Sequence, residues 1–190
     1  MIRLSRVAPD VETLGPGVRF CIWVQGCRRG CKGCMSRETW DMSGGYLMDE
    51  AELADRILEF PFEGITISGG EPMLQCAALS RLIGLLRAKR DVGVIVYTGY
   101  TMEALRAMND PDCERLLSQI DLMIDGEYIE EQDDDGALRG SANQRAWHLT
   151  ERYRAAMDGL FGKRGAREQQ LQIDEQGVLW IGLREKEKGI

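Results

Sequence analysis

No run of about 18 apolar residues occurs in this 190-residue chain, so nothing in it reads as a transmembrane helix. The opening Met1-Ile2-Arg3-Leu4-Ser5-Arg6 lacks the long apolar core of a signal peptide, and the expected location is the cytoplasm. Histidine is nearly absent. His148 is the only one, and without a companion it reads as structural rather than as a general base. Basic residues are the minority, 24 against 31 acids, for a net charge of −7. That balance disfavours reading nucleic-acid phosphates. Internal repeats and low-complexity tracts are lacking as well. One domain with a short appendage fits the length, and a chain of this size buries enough surface to fold without disulfide staples.

Glycine and cysteine are what the chain has. There are 22 glycines, above the usual share of about 7%, which suggests tight turns or backbone that lies close to a ligand. Of six cysteines, four lie close together: Cys21, Cys27, Cys31 and Cys34. Clustered cysteines in a cytosolic chain point to metal or redox chemistry more than to disulfides. Cys76 and Cys113 fall in helical patterns and read as small buried residues.

Apolar periodicity predicts strands at Ile2–Val7 (an edge), Val18–Gln25, Ile65–Ile67, Val92–Val96 and Leu122–Ile124. Helices are expected from an Asp49 cap through Glu59, over Leu74–Lys89, over Met102–Met108 behind a Thr101 cap, and over Asp112–Gln119. An acidic loop follows at Glu130–Asp135. A helical piece near Thr150–Leu160 and a hairpin, Leu171–Ile173 with Val178–Ile181, close the chain. Alternating strands and helices predict an α/β fold with a mostly parallel sheet. The chain is shorter than the roughly 250 residues of a full (β/α) barrel, so an incomplete, open barrel is expected. The domain reading is 1–149 for the barrel and 150–190 for a helix and hairpin packed on it. Each apolar strand runs into a glycine turn, at Gly26, Gly69-Gly70, Gly99 and Gly126, where parallel α/β folds place their ligands.

Cys27-Arg28-Arg29-Gly30-Cys31-Lys32-Gly33-Cys34 spells C-x3-C-x2-C directly after a strand. Three thiolates on one tight loop suit a compact iron–sulfur cube, and three rather than four would leave one iron open for chemistry. Arg28, Arg29 and Lys32 are expected to favour the thiolate forms. A zinc site completed by Cys21, and a disulfide with stray thiols, remain as alternatives.

This motif, followed by a strand ending in Ser68-Gly69-Gly70-Glu71-Pro72, resembles the radical S-adenosylmethionine (SAM) superfamily. Gly15-Pro16-Gly17-Val18-Arg19-Phe20, Gln25-Gly26-Cys27 and Glu38-Thr39-Trp40 narrow the likeness to activating enzymes of glycyl-radical enzymes. Gly33 before the third cysteine, Tyr97-Thr98-Gly99-Tyr100 and Gly140-Ser141-Ala142-Asn143-Gln144 make it most similar to the branch serving anaerobic ribonucleotide reductase. The likeness runs from about Gly15 to Trp147. It implies a partial radical SAM barrel in which Cys27, Cys31 and Cys34 hold a [4Fe-4S] cluster and SAM binds the fourth iron.

The resemblance also implies an activity. Reductive cleavage of SAM would give a 5′-deoxyadenosyl radical that takes the Cα hydrogen of a glycine in a partner enzyme, with a flavodoxin- or ferredoxin-type electron donor. Gly69 and Gly70 would lie along the methionine part of SAM, Glu71 would meet its ammonium, and Gly33, Cys34 and Met35 would border the adenine. Thr98 and Asp125 are candidates for the carboxylate and ribose. Glu71 reads equally as the first turn of the next helix, and Thr98 and Asp125 as turn or capping residues. Asn143 and Gln144 read either as substrate contacts or as loop hydrogen-bonders. A radical SAM enzyme acting on another peptide or a small molecule, and a non-catalytic Fe–S or zinc module, are the competing functions.

Overall fold

The computed structural model describes residues 1–174 and 177–183. Its centre is four parallel strands: β2 (Arg19–Val24), β4 (Gly64–Gly69), β5 (Gly93–Thr98) and β6 (Leu122–Asp125), side by side in chain order. Their residues are almost all buried, as strands covered on both faces require. Antiparallel strands flank them. β1 (Ile2–Val11) pairs with β2, β3 (Tyr46–Met48) covers β1, and β7 (Arg145–His148) pairs with β6. The sheet is therefore mixed, with seven strands in the order β3-β1-β2-β4-β5-β6-β7.

Helices fill the crossovers. α1 (Glu50–Leu58) starts at Asp49, whose carboxylate accepts from Ala51 N at 2.9 Å. α2 (Cys76–Arg87) follows a 3-10 turn at Pro72–Gln75, so the expected helix from Leu74 begins two residues later. α3 (Met102–Met108) carries the Thr101 cap, and α4 (Pro111–Leu117) is capped by Asp110. Leu53, Ile57, Leu79, Leu82, Ile83 and Leu86 pack on Ile65, Ile67, Val94 and Val96 to form the main core.

Several expectations change. β1 is not an edge, because the unexpected β3 lies outside it. β7 carries no alternating pattern; it forms where Asp125, Ile124, Met123 and Leu122 offer an open ladder. The helix near Thr150–Leu160 shrinks to α5 (Arg154–Met157), with Gly159 and Gly162 in left-handed turns beyond it. The hairpin forms as expected, β8 (Gln169–Asp174) against β9 (Gly177–Gly182), while part of its connection lies outside the described residues. Leu179 and Ile181 pack with Ala8, Val11 and Leu14 in a cluster beside β1.

Cys76 and Cys113 are buried as expected, but they pair as a disulfide with their Cα atoms 5.1 Å apart. α2 and α4 pack side by side and bring the first residue of one against the first turn of the other. Helical spacing within each segment carries no information about that approach.

Candidate functional site

The cysteine loop leaves β2 at Gly26 and is closed by backbone bonds from Gly26 N to Thr39 O (2.8 Å) and from Cys27 N to Trp40 O (3.2 Å). Gln25 braces its return limb through Nε2, which donates to Asp41 O at 2.8 Å and Glu38 O at 3.2 Å. Gly30 and Gly33 take φ of +64° and +74°, which L side chains rarely adopt, and so bend the loop twice within four residues. Cys27, Cys31 and Cys34 emerge as half-buried free thiols, all lining one cavity of about 230 Å³.

The second wall is the turn after β4. Gly70 N donates to Val24 O and Glu71 N to Gly26 O, each at 2.8 Å, so this turn is stitched onto the base of the cysteine loop. A Cβ at Gly70 would collide with the Gly26 carbonyl, and one at Gly69 (φ +98°) would come 2.7 Å from Val24 O. These glycines are needed first for backbone-to-backbone packing, a reason distinct from room for a ligand. Both also line the cavity.

Glu71 is 1% exposed. Its Oε1 accepts from Thr98 Oγ1 (2.7 Å) and Met73 N (3.0 Å), and its Oε2 from Gly99 N (2.9 Å). It caps the 3-10 turn and ties β4 to β5 while still facing the cavity. Burial pushes its carboxyl above the ordinary range, against these donors and the Arg29 charge. Thr98 lines the cavity with its hydroxyl engaged by Glu71 and Tyr100 N.

Asp125 is fully buried and is not part of the lining. Its carboxylate accepts from Met102 N at 2.7 Å and from Arg145 Nη2 and Nε at 2.6 and 3.0 Å, which anchors α3 and β7; the neighbouring Gly126 reaches the cavity instead. Met35 lines it too. Gly33 lies against Tyr128, whose ring a Cβ there would approach to 3.1 Å. Asn143 and Gln144 both make loop hydrogen bonds, Gln144 Nε2 to Gly126 O (2.8 Å) and Asn143 Nδ2 to Glu127 O (2.9 Å), and Gln144 also lines the cavity while Asn143 does not.

Of the three cations expected beside the thiols, Arg29 alone lines the cavity. Lys32 is exposed and paired with Glu130 and Glu131, each at 3.0 Å, and Arg28 faces solvent. Burial outweighs the remaining charge and pushes the Cys27 and Cys31 thiols up, so the expected bias toward thiolate is not a property of the loop alone. Arg29 stacks 4.7 Å from the Tyr100 centroid, and its Nε is buried without a partner among the described residues. That leaves a guanidinium N–H for an anionic occupant.

Cys21 lies inside β2, outside the lining; its thiol, pushed up to about 12 by burial, is a core group and not a fourth ligand. Among the described residues no three Cys, His, Asp or Glu side chains converge as one bare metal ion would need. Trp23, Trp40 and Trp180 also line the cavity. Trp40 belongs to the Glu38-Thr39-Trp40 frame already noted around the cysteines, whereas Trp23 and Trp180 were missed because an aromatic within a strand reads as core.

The family described as 4Fe-4S single cluster domain matches residues 13–147, most of the chain and all three cysteines of the loop. A protein of Vibrio cholerae called anaerobic ribonucleoside-triphosphate reductase-activating protein is 37% identical over 141 residues, which span 68% of this chain and 87% of that one. The chain belongs to this family. Its member in Haemophilus influenzae, of the same name, is 36% identical over 141 residues, and that of phage T4 is 30% identical over 153 residues, 77% of this chain and 94% of the phage protein. The family's matched stretch ends before α5, β8 and β9, so the hairpin that adds Leu179, Trp180 and Ile181 to the cavity lies outside it. No helix among the described residues is long and apolar enough to cross a membrane.

Proposed function

We propose that the chain is a radical SAM activating enzyme for an anaerobic ribonucleotide reductase-like glycyl-radical enzyme, working in the cytoplasm. The carrying observation is the convergence of Cys27, Cys31 and Cys34 on a cavity whose other wall is the Gly69-Gly70-Glu71 turn. The names of its relatives support the partner, and the 4Fe-4S family supports the cluster. Four parallel strands with their C-terminal ends at the cavity support an incomplete radical SAM barrel over 1–149, with 150–190 added to it.

When bound, a [4Fe-4S] cluster and SAM supply reductive cleavage to a 5′-deoxyadenosyl radical and methionine. The chain's own residues bind, orient and shield. Cys27, Cys31 and Cys34 would hold the cluster through three thiolates, which would leave one iron without a protein ligand. Gly69 and Gly70 present backbone along the methionine end. Glu71 offers its remaining acceptor capacity to an ammonium while holding Thr98 and the Gly99 amide at a fixed spacing. Met35, on the cavity wall, would border the adenine, Gly33, outside the lining, would act by bending the loop that carries Cys34 and Met35, and Arg29 Nε would meet a negative group. Thr98, on the cavity wall and tied to Glu71, would face the occupant, whereas Asp125 positions through Gly126 rather than touching. The electron donor in this reading is of flavodoxin or ferredoxin type.

The test is anaerobic reconstitution with iron and sulfide, a strong reductant and SAM, reading 5′-deoxyadenosine. A glycyl radical by EPR after adding a purified anaerobic ribonucleoside-triphosphate reductase is the expected result. An assembled cluster that yields no deoxyadenosine would refute the reading. Deoxyadenosine without a glycyl radical would favour another peptide or small-molecule substrate.

A further inference from the structure

The cavity has two unlike sides. One carries the three cysteines, Glu71 and Thr98. The other is mainly apolar, Leu14, Trp23, Leu179, Trp180, Ile181 and Leu183, with Arg6 of β1 and Gln169 of β8 also in the lining. Three of these six apolar residues sit on β9.

The hairpin that supplies this side has two faces of different character. Strand alternation and the register put Gln170, Gln172, Leu179 and Ile181 on one. That face is fastened to β1. Gln170 Nε2 donates to Asp10 O (2.6 Å), Gln172 Nε2 to Pro9 O (2.7 Å), and Ile181 is buried with Ala8, Val11 and Leu14. Leu171 pairs with Trp180 and Ile173 with Val178 on the opposite face. These four are uncovered, at 46%, 62%, 74% and 59% exposure. A cross-strand ladder of large apolar side chains in the open is costly for an isolated chain and is the usual mark of a contact surface.

Position decides the occupant. Trp180 belongs both to the exposed ladder and to the cavity lining, so the ladder is the outward continuation of the apolar side. β8 and β9 pair only with each other among the described residues, so each keeps an outer edge able to bond an extended backbone. Under the function proposed above, the substrate is a glycine within another protein, and its Cα must enter this cavity. We propose that the outer face of the β8–β9 hairpin, Leu171, Ile173, Val178 and Trp180, docks the glycine-bearing polypeptide of the partner enzyme. The segment it fits is extended, with apolar side chains at alternate positions beside the glycine. This inference rests on the activating-enzyme reading and adds the surface that receives the substrate.

The experiment uses full-length reconstituted protein and a purified anaerobic ribonucleoside-triphosphate reductase. The triple variant Leu171→Ser, Ile173→Ser, Val178→Ser alters outward side chains only, and Trp180→Ala is made separately. Iron content and melting temperature of each are compared with wild type as the control for folding. Binding of the reductase by biolayer interferometry should weaken at least tenfold in both variants. The glycyl-radical signal at sub-saturating reductase should fall in parallel, and in the triple variant, whose side chains lie outside the cavity, it should recover as reductase is raised. Unchanged binding in both variants overturns the inference. So does sedimentation showing that wild type is a dimer and the triple variant a monomer, since the ladder is then covered by a second copy. If wild type binds the reductase through this face yet forms no radical on it, the activating reading fails and the docking surface stands.

Discussion

The Thr98 hydroxyl donates to Glu71 Oε1 at 2.7 Å, joining the C-terminal ends of two neighbouring parallel strands. Because the same carboxylate also serves Met73 N and Gly99 N, it acts as a rivet between the turns that face the cavity. Glu71→Ala strands three donors, one of them the buried Thr98 hydroxyl. Urea denaturation should show a loss of about 3 kcal/mol, given that hydrogen bonds to charged groups contribute roughly 1.5–3 kcal/mol each and solvent entering the gap recovers part. A loss under about 1 kcal/mol would show that the rivet is dispensable.

Glu71 also gives a pH dependence of known sign. Burial raises its carboxyl, so over a window above the ordinary carboxylate range the folded chain holds a proton that the unfolded chain has released. Stability from this group is fully present below the unfolded value and is lost as pH rises through the folded one. The stability of wild type minus that of Glu71→Gln, followed by denaturant titration from acid toward neutral pH, should therefore decline. A rising difference would contradict the assignment.

Replacing Cys27, Cys31 or Cys34 by Ala should each abolish iron and sulfide loading, read by metal analysis and visible absorbance. Cys21→Ala should load normally, because that thiol lies within the core of β2 and outside the cavity. Full loading after loss of Cys31 would overturn the ligand set.

The Cys76–Cys113 disulfide closes a sequence separation of 37 residues. Loop-closure entropy puts its stabilisation at about 4 kcal/mol as an upper figure. The oxidised protein should resist denaturant more than the dithiol form by up to that amount, and the Cys76→Ala, Cys113→Ala double variant should still load iron. Equal stability of the two redox forms would show that the crosslink adds nothing beyond the packing of α2 and α4.

Two glycine-to-alanine changes should act in opposite directions. At Gly70 the new methyl would meet the Gly26 backbone, which leads into Cys27. A loss of roughly 2 kcal/mol or more is expected, with reduced cluster loading. At Gly84, an exposed position within α2 with nothing near its Cβ, alanine should add about 0.5–1 kcal/mol. Thermal or urea denaturation of both variants checks the pair.

The chemistry-bearing loop and the parallel centre of the sheet are written in the chain order alone. C-x3-C-x2-C, the glycine turns and the runs at Ile65–Ile67 and Val92–Val96 are local signals, and spacing along the chain is enough to read them. The remaining features depend on partners far away in sequence. Gly70 must be glycine because Gly26 lies against it, and Arg28 and Lys32 turn away from the thiols while Arg29 does not. Asp125 is spent on Arg145 and Met102. Cys76 meets Cys113 because two amphipathic helices pack side by side. The hairpin was legible as a hairpin, but its place as a wall of the cavity was not. Its register fixes which side chains share a face, and only docking on β1 fixes which face is left open.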